Sequence, residues 1–405
     1  MAMGRRVYLD NAATSFPKPS GVATAMTQFT RALGASPGRG AYDETVQAGR
    51  SLQATRVALA ALLHEADPTR LVFTLNCTDA LSLAIYGTAR HWLRRGEGVH
   101  LVTTAMDHNS VLRPFNDLAA DGVTHTRVAA DCETGLVHPN AIAQAITPDT
   151  RLVCIVHGSN VSGTVQDIAA IADTCRTAGV PLLVDAAQTA GHMDIDPAAM
   201  GIDLLAIPGH KGLLGPLGTG ALWFGAGMTE VVDPIRTGGT GSLSEDDVHP
   251  TMLPDRYEAG SHNTVGLIGL GAALQHIAEL TTERIAAHER LLTAHILDGL
   301  LCIDGLRVLG PQTPAQRCGV FALTCEALTP ANFAGALEAD FGILARPGLH
   351  CAPAAHATFG TLDSSGATRL SVGCTTTMDD IDCAVAAVGH VVHHAVHGHA
   401  AILVP

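Results

Sequence analysis

Leu182 to Gly220 reads LLVDAAQTAGHMDIDPAAMGIDLLAIPGHKGLLGPLGTG, and two apolar runs in and beside it set the positions of one acid and one lysine. Pro181-Leu182-Leu183-Val184 and Leu204-Leu205-Ala206-Ile207 have the length and composition of buried strands. Asp185 falls at the carboxyl end of the first, and Pro208-Gly209 break the second just before His210 and Lys211. Two strands of one sheet would then aim a carboxylate and an amine into a single crevice. Pyridoxal phosphate (PLP) needs that pair: a lysine to hold its aldehyde as a Schiff base, and an acid to keep its ring nitrogen protonated. A lysine short of solvent and close to other cations gives up its proton readily and becomes a nucleophile. Taken singly, Asp185 reads more simply as a helix cap and Lys211 as a solvated turn residue.

Outward from this stretch, strand-like Arg70 to Phe73, Val99 to Thr103 and Leu152 to Val156 alternate with helix-like Asp79 to Leu93, Ser110 to Ala120 and Ile168 to Ala178. Such alternation predicts an α/β fold, a mostly parallel sheet between helices with its crevice at the strand carboxyl ends. Ser20 to Leu63 reads mostly helical, broken by the turn-forming residues from Gly34 to Gly40. From Val265 the pattern changes to long helices, Leu267 to Leu280 and Thr282 to Leu300, then shorter strands at Leu306 to Leu309 and Gly319 to Thr324. The expected division is a large domain over 20–275 and a smaller α+β domain made of 1–19 and 276–405.

With 405 residues the chain can bury a large core, and 42 glycines with only 15% charged residues describe a tightly turned globular protein. A formal charge of −14 argues against nucleic acid or an anionic membrane as the main partner. The ten cysteines include no C-x-x-C pair, so they read as scattered reduced thiols. The amino-terminal MAMGRRVYLDNAATSFPKP lacks the apolar core of a secretory signal, and no run approaches a membrane span, so a cytoplasmic location is expected. His390, His393, His394, His397 and His399 lie on an expected last helix, the first four on one face. No acid or cysteine joins them, and no metal is expected there.

Other segments follow strands and so belong at the same crevice. Cys77-Thr78-Asp79 opens a helix, where free N–H groups and the Thr78 hydroxyl would receive a phosphate. The same hydroxyl would equally serve as a helix cap. His108, in Met106-Asp107-His108-Asn109, offers a flat imidazole that could stack on a pyridine ring and move protons, or be an ordinary hydrogen-bonded loop histidine. Asn160 and Gln188 carry amides suited to a phenolate oxygen and a carboxylate.

These segments, with Tyr8-Leu9-Asp10-Asn11-Ala12-Ala13, Gly209-His210-Lys211, Tyr257-Glu258-Ala259-Gly260 and Arg346-Pro347-Gly348-Leu349-His350-Cys351-Ala352-Pro353, resemble class V aminotransferase-type PLP enzymes, and most closely type II cysteine desulfurases. The resemblance runs through almost the whole chain and implies PLP fold type I. It makes Lys211 the Schiff-base lysine, Asp185 the partner of the pyridinium, Gln188 the group on the phenolate oxygen and His108 the stacking imidazole. Thr78 and His210 would bind phosphate beside Cys77, with Ser261 reaching across from a second subunit of a homodimer. Arg369 would grip a substrate α-carboxylate through a bidentate fork, assisted by Asn160 and with Arg346 nearby.

Cys351 sits in a glycine-punctuated loop beside a histidine and five residues past Arg346, a setting that favours thiolate. The other nine cysteines read mostly as small core residues. The reaction implied is desulfuration of L-cysteine to L-alanine, with the sulfur left as a persulfide on Cys351 for an acceptor protein, and with His108 donating a proton late. Pro208, Cys77 and Asn109 depart from the family pattern, where a hydroxyl residue, a threonine and a second histidine are common. A lyase or epimerase of the same fold that does not use Cys351, acting on selenocysteine or cystine, stays open. So does a non-catalytic PLP-fold binding protein. A nicotinamide enzyme is disfavoured, since no G-x-G-x-x-G opens a helix after an early strand.

Overall fold

The computed structural model describes residues 6–38, 40, 42–243 and 245–398. Thirteen strands occur among them, beginning with the two-residue β1 (Val7–Tyr8). Seven form one sheet: β2 (Leu71–Thr74), β3 (His100–Thr104), β4 (Thr124–Val128), β5 (Thr150–Val156), β6 (Leu182–Asp185), β7 (Leu204–Pro208) and β8 (Gly220–Phe224). Their order is β2-β8-β7-β6-β5-β3-β4, and β8 alone runs against its neighbours β7 and β2. The expected mostly parallel α/β sheet is therefore present.

Parity along the strands explains the unbroken apolar runs of the sequence. Val153, Val184, Leu205 and Trp223 enter one buried cluster, while Cys154, Leu183, Leu204 and Phe224 enter another on the opposite face. A sheet covered on both sides has no polar face to show, so its strands lose the alternation that marks half-exposed ones. β4 went unread for the opposite reason: it is an edge strand with sequence THTRV, partly exposed, and lacks an apolar run.

Helices return the chain over these faces, and their ends are set by side chains. Asn76 caps the helix Cys77–Leu93 by accepting from Asp79 N at 2.9 Å. Asp167 caps Ile168–Ala178, which closes on Gly179 in the left-handed conformation. The expected helix Ser110 to Ala120 is shorter, Asn109–Asp117 with Pro114 inside it, followed by a tighter turn at Leu118–Asp121.

Beyond β8, helices Thr264–Leu280 and Thr282–Leu301 lead to a four-stranded antiparallel sheet. It consists of β9 (Arg307–Val308), β10 (Val320–Thr324), β12 (Arg346–Gly348) and β13 (Ala367–Ser371). β1 pairs in parallel with β11 (Ile343–Leu344), and a third buried cluster joins Val7 and Leu9 to Leu292, Phe321, Leu370 and Val388. The last helix, Met378–His397, starts on a capping box between Thr377 and Asp380. On it the His393 and His397 rings lie 4.8 Å apart, and no group of three ligating side chains that could hold a metal occurs among the described residues. His399 lies outside those residues. No helix among them is long and apolar enough to cross a membrane.

Candidate active site

Lys211 follows β7, and Asp185 at the end of β6, Cys77 after β2 and His108 after β3 lie close enough to interact with it electrostatically. The Lys211 turn is tight: a side chain on Gly209 would run into Thr219, and one on Gly212 into Ala190 O and the His192 ring. Burial lowers the Lys211 pKa, with Arg369 and Arg346 acting in the same direction and Asp185 opposing. An amine in that field exists more readily in the neutral, nucleophilic form. Pro208 ends β7 two residues beyond Ala206, the last residue of that strand to pair with β6. Its missing N–H therefore interrupts no ladder with β6.

Asp185 is 3% exposed at the end of β6, and its Oδ1 accepts from Ala187 N at 2.9 Å and from the Cys77 thiol at 3.3 Å. Burial, then Asp185, pushes the Cys77 pKa well above the usual thiol value, so Cys77 stays protonated and acts as a donor to the acid. Gln188 is buried with its amide donating to Ala12 O at 3.0 Å.

His108 caps the helix Asn109–Asp117, accepting at Nδ1 from Ser110 N at 3.1 Å. A backbone N–H only donates, so the neutral ring carries its proton on Nε2. Burial, reinforced by Lys211, Arg113 and Arg369 against Asp185, lowers the His108 pKa to about 4. Ser110 Oγ lies 2.8 Å from the same Nδ1 and 2.8 Å from Thr78 Oγ1, so a hydroxyl chain joins two of the expected site residues. Ser110 escaped the sequence reading because a serine in the first turn of a helix reads as part of the cap.

Asp107 was also missed. Its buried carboxylate accepts from Thr103 Oγ1 at 2.7 Å, Thr104 N at 2.6 Å, Thr104 Oγ1 at 2.9 Å and Val156 N at 2.6 Å, tying the ends of β3 and β5 together. Burial outweighs these donors and raises its pKa to about 6. The His210 carbonyl is likewise over-determined, accepting from Ser15 N at 3.1 Å, Thr14 Oγ1 at 2.9 Å and Lys18 Nζ at 2.7 Å. These bonds fix the residue before Lys211. Burial lowers Lys18 to about 8 and His210 to about 4.

Arg369, 2% exposed on β13, donates to Asp10 Oδ1 at 2.7 Å and to Asn160 O at 3.1 Å. Its Nε and the Asn160 Oδ1 are buried without a partner. Unpaired buried polar atoms are costly, and two of them on residues expected to meet a polar ligand are what a ligand site leaves open. The Cys351 loop docks here: Asn160 Nδ2 donates to His350 O at 2.7 Å and Asn109 N donates to Cys351 O at 2.8 Å. Cys351 is exposed and acts on the titration of Arg369. Arg346 is exposed on β12, close enough to act on the titration of Lys211.

One expected residue does not join them within the chain. Ser261 is exposed and lines a small cleft with Phe73, Thr74, Gly218 and Arg236. Among the described residues no hydrogen bond connects it to Lys211 or His210. The other nine cysteines are mostly buried or half-buried, Cys318 and Cys374 being half-buried, with three exceptions. Cys77, Cys154, Cys175 and Cys325 are buried, whereas Cys132, Cys302 and Cys383 are exposed, each standing in a turn or on a helix face that the apolar count did not resolve.

The donor set fits PLP: a buried amine of lowered pKa, a buried acid, unpaired Asn160 and Arg369 atoms, and a hydroxyl at a helix start. The same burial makes the fold acid-sensitive. His157, His350 and His356, 4%, 5% and 0% exposed, have pKa values lowered by burial to about 4, about 3 and about 4. The unfolded chain then binds protons that the folded chain refuses, so stability is present above the unfolded value near 6.5 and is lost as pH falls toward 4. Each ring removes up to about 1 kcal/mol between pH 7 and pH 5.5. Urea unfolding midpoints should fall across that interval, and a flat profile would contradict the burial assignment.

Known proteins similar to this one match nearly the whole chain. The chain is 36% identical over 377 residues to a probable cysteine desulfurase of Methanothermobacter thermautotrophicus, covering 93% of this chain and 92% of that protein. It is 33% identical to a cysteine desulfurase of Yersinia pestis, covering 94% and 92%. The apo structure of a cysteine desulfurase from Thermococcus onnurineus superposes with a TM-score of 0.88 at 28% identity, covering 96% of this chain and 94% of that one. The crystal structure of an Escherichia coli cysteine desulfurase superposes at 0.83, also at 28% identity, covering 95% and 94%. The profile of the aminotransferase class-V family matches residues 7–383, so the chain belongs to that family.

Proposed function

We propose that this chain is a PLP-dependent cysteine desulfurase that converts L-cysteine to L-alanine and leaves the sulfur on Cys351. The observation that carries the reading is a contrast between the two cysteines at the crevice. Cys77 is a buried thiol donating to Asp185, whereas Cys351 is exposed in a loop docked beside Arg369. Only the second is exposed to meet a substrate sulfur.

Lys211 would hold PLP, with Asp185 facing the pyridine nitrogen, Gln188 the phenolate oxygen and His108 the ring. Thr78, His210 and the first N–H groups of the helix Cys77–Leu93 would take the phosphate. When bound, the cofactor supplies an electron sink for the substrate α-carbon. Arg369 holds the α-carboxylate through its unpaired Nε, with Asp10 and Asn160 O orienting the guanidinium from the other side. Lys211, freed as a neutral amine, takes the α-proton. Cys351 thiolate attacks the substrate sulfur; an S–S bond forms, the Cβ–S bond breaks, and its electron pair stays on Cβ. His108, neutral with its proton on Nε2, is placed to supply a proton as that carbon becomes the alanine methyl. Atoms balance as L-cysteine plus Cys351 thiol giving L-alanine plus Cys351 persulfide.

Ser261, exposed and apart from Lys211 of its own chain, suits a site shared with a second copy in a homodimer. An acceptor protein would then remove the persulfide sulfur. Ten unpaired cysteines suit a reducing, cytoplasmic setting. The division into 20–275 and 1–19 with 276–405 places Cys351 and Arg369 on the smaller part and Lys211 on the larger. The test is to incubate the PLP-loaded protein with L-cysteine, quantify alanine, and locate the trapped persulfide by peptide mass spectrometry. Equal alanine and sulfur, with the label on the Cys351 peptide, is expected; absence of both overturns the reading.

A further inference from the structure

The turn that carries Cys351 is built from two consecutive non-glycine residues in the left-handed region, His350 at φ +50° and Cys351 at φ +56°. Side chains disfavour that region, so it persists only where surrounding contacts over-determine it. The large-domain contacts from Asn160 and Asn109 hold the two carbonyls. The His350 side chain is held from the other direction.

His350 Nε2 lies 2.9 Å from Arg346 O, and its Nδ1 lies 3.2 Å from His356 Nε2. His356 Nδ1 in turn lies 2.8 Å from Thr361 Oγ1. A carbonyl only accepts, so His350 carries its proton on Nε2 and accepts at Nδ1. His356 must then donate from Nε2 and accept the Thr361 hydroxyl proton at Nδ1. The Thr361 hydroxyl also has His356 O within 3.3 Å, but that carbonyl already accepts from Thr361 N at 2.8 Å, and the ring nitrogen is the nearer acceptor at 2.8 Å. All three side chains are 5% exposed or less, and burial keeps both rings neutral, with pKa values near 3 and 4. The chain therefore has one direction, Thr361 to His356 to His350 to Arg346 O. None of the chemistry described above uses His356 or Thr361.

We propose that His356, acting through His350, is a positioning residue for Cys351: the buried Thr361–His356–His350 chain holds the turn that places the nucleophile beside Arg369. The proposal rests on the reading of Cys351 as the persulfide carrier. Removing His356 Nε2–H leaves His350 Nδ1 without a donor and releases the ring that braces the turn, while Lys211, Asp185, Gln188, His108 and Thr78 keep all their hydrogen bonds.

The test compares His356→Leu, His356→Gln and Thr361→Val in the PLP-loaded enzyme, with Cys351→Ala alongside. A nucleophile displaced by about 1 Å costs on the order of 100-fold. His356→Leu should lower kcat for alanine release about 10- to 100-fold with KM within about twofold and unchanged cofactor absorbance. Glutamine places an amide N–H where His356 Nε2–H stood and should recover kcat to within about threefold. Thr361→Val, losing only the hydroxyl, should fall in between.

In the cofactor-free chain, the rate of iodoacetamide labelling of the Cys351 peptide should differ about fivefold or more between the parent and His356→Leu, because the thiol is no longer held in one position, and equal rates count against the brace. Parent-like kcat in His356→Leu or in Thr361→Val, or no recovery in His356→Gln, overturns the brace; if His356→Leu does not fold, the other two decide. Turnover retained by Cys351→Ala overturns the persulfide reading instead, and the labelling rates then judge the brace by themselves.

Discussion

Cys351→Ala should lower alanine release from L-cysteine by about 10³-fold or more while leaving the absorbance of lysine-bound cofactor intact. The two halves of that result separate the roles of the crevice residues. Lys211, Asp185 and His108 sit at strand ends of the large sheet and interact electrostatically with one another, whereas Cys351 arrives on a docked loop after β12. Removing its sulfur takes away the atom that must bond to the substrate sulfur and touches nothing that holds PLP. Lys211→Ala should give the complementary pattern, with both the absorbance band and turnover lost. Sulfide release by Cys351→Ala at the parent rate would favour a lyase of the same fold. Cys77 offers no bypass, since burial and Asp185 keep it a protonated donor.

Residues that act at strand ends were legible because a parallel sheet puts every carboxyl end on one edge, and an apolar run followed by a break marks each end. Asp185, Lys211, His108 and Asn160 follow that rule. Residues that act through long-range polar contact were not. Lys18 lies between two prolines and reaches the His210 carbonyl across 192 positions, and Asp10 meets Arg369 across 359. No periodicity encodes such a pairing, because each partner is locally an ordinary loop or strand residue. Ser110 failed differently: its position predicts a cap, and only the geometry shows that its hydroxyl spans Thr78 and His108. Exposed Cys132, Cys302 and Cys383 show the limit of composition, which counts small apolar residues without saying which face of an element they occupy.

The same limit hid the buried ion pair beneath Tyr257-Glu258-Ala259-Gly260, and its removal should produce a large loss of stability outside the crevice. Arg56, on the helix Asp43–Leu62, meets Glu258 through two contacts of 2.7 and 2.8 Å, with side-chain exposures of 4% and 3%. The pair does the work of a missing strand. β2 is the last strand on its side of the sheet; Arg56 donates to Leu71 O, and Glu258 accepts from Phe73 N at 2.6 Å. Ladder groups that an edge strand would leave open are thereby closed without offering a template to another chain. The guanidinium also stacks 4.2 Å over the Phe73 ring.

Breaking a buried pair from one side costs about 3–5 kcal/mol because the remaining charge is left without its partner. Arg56→Met should therefore lower the unfolding free energy by that amount in urea titrations. His262 Nε2, 3.3 Å from Glu258 Oε2, is too small a substitute for a bidentate fork. Glu258→Gln keeps the acceptor for Phe73 N but strands the Arg56 charge, and should cost a comparable amount. The double variant Arg56→Met with Glu258→Gln buries no net charge, so its loss should be smaller than the sum of the two. Strict additivity would mean that the pair contributes nothing as a pair, and that the β2 edge is held by packing alone.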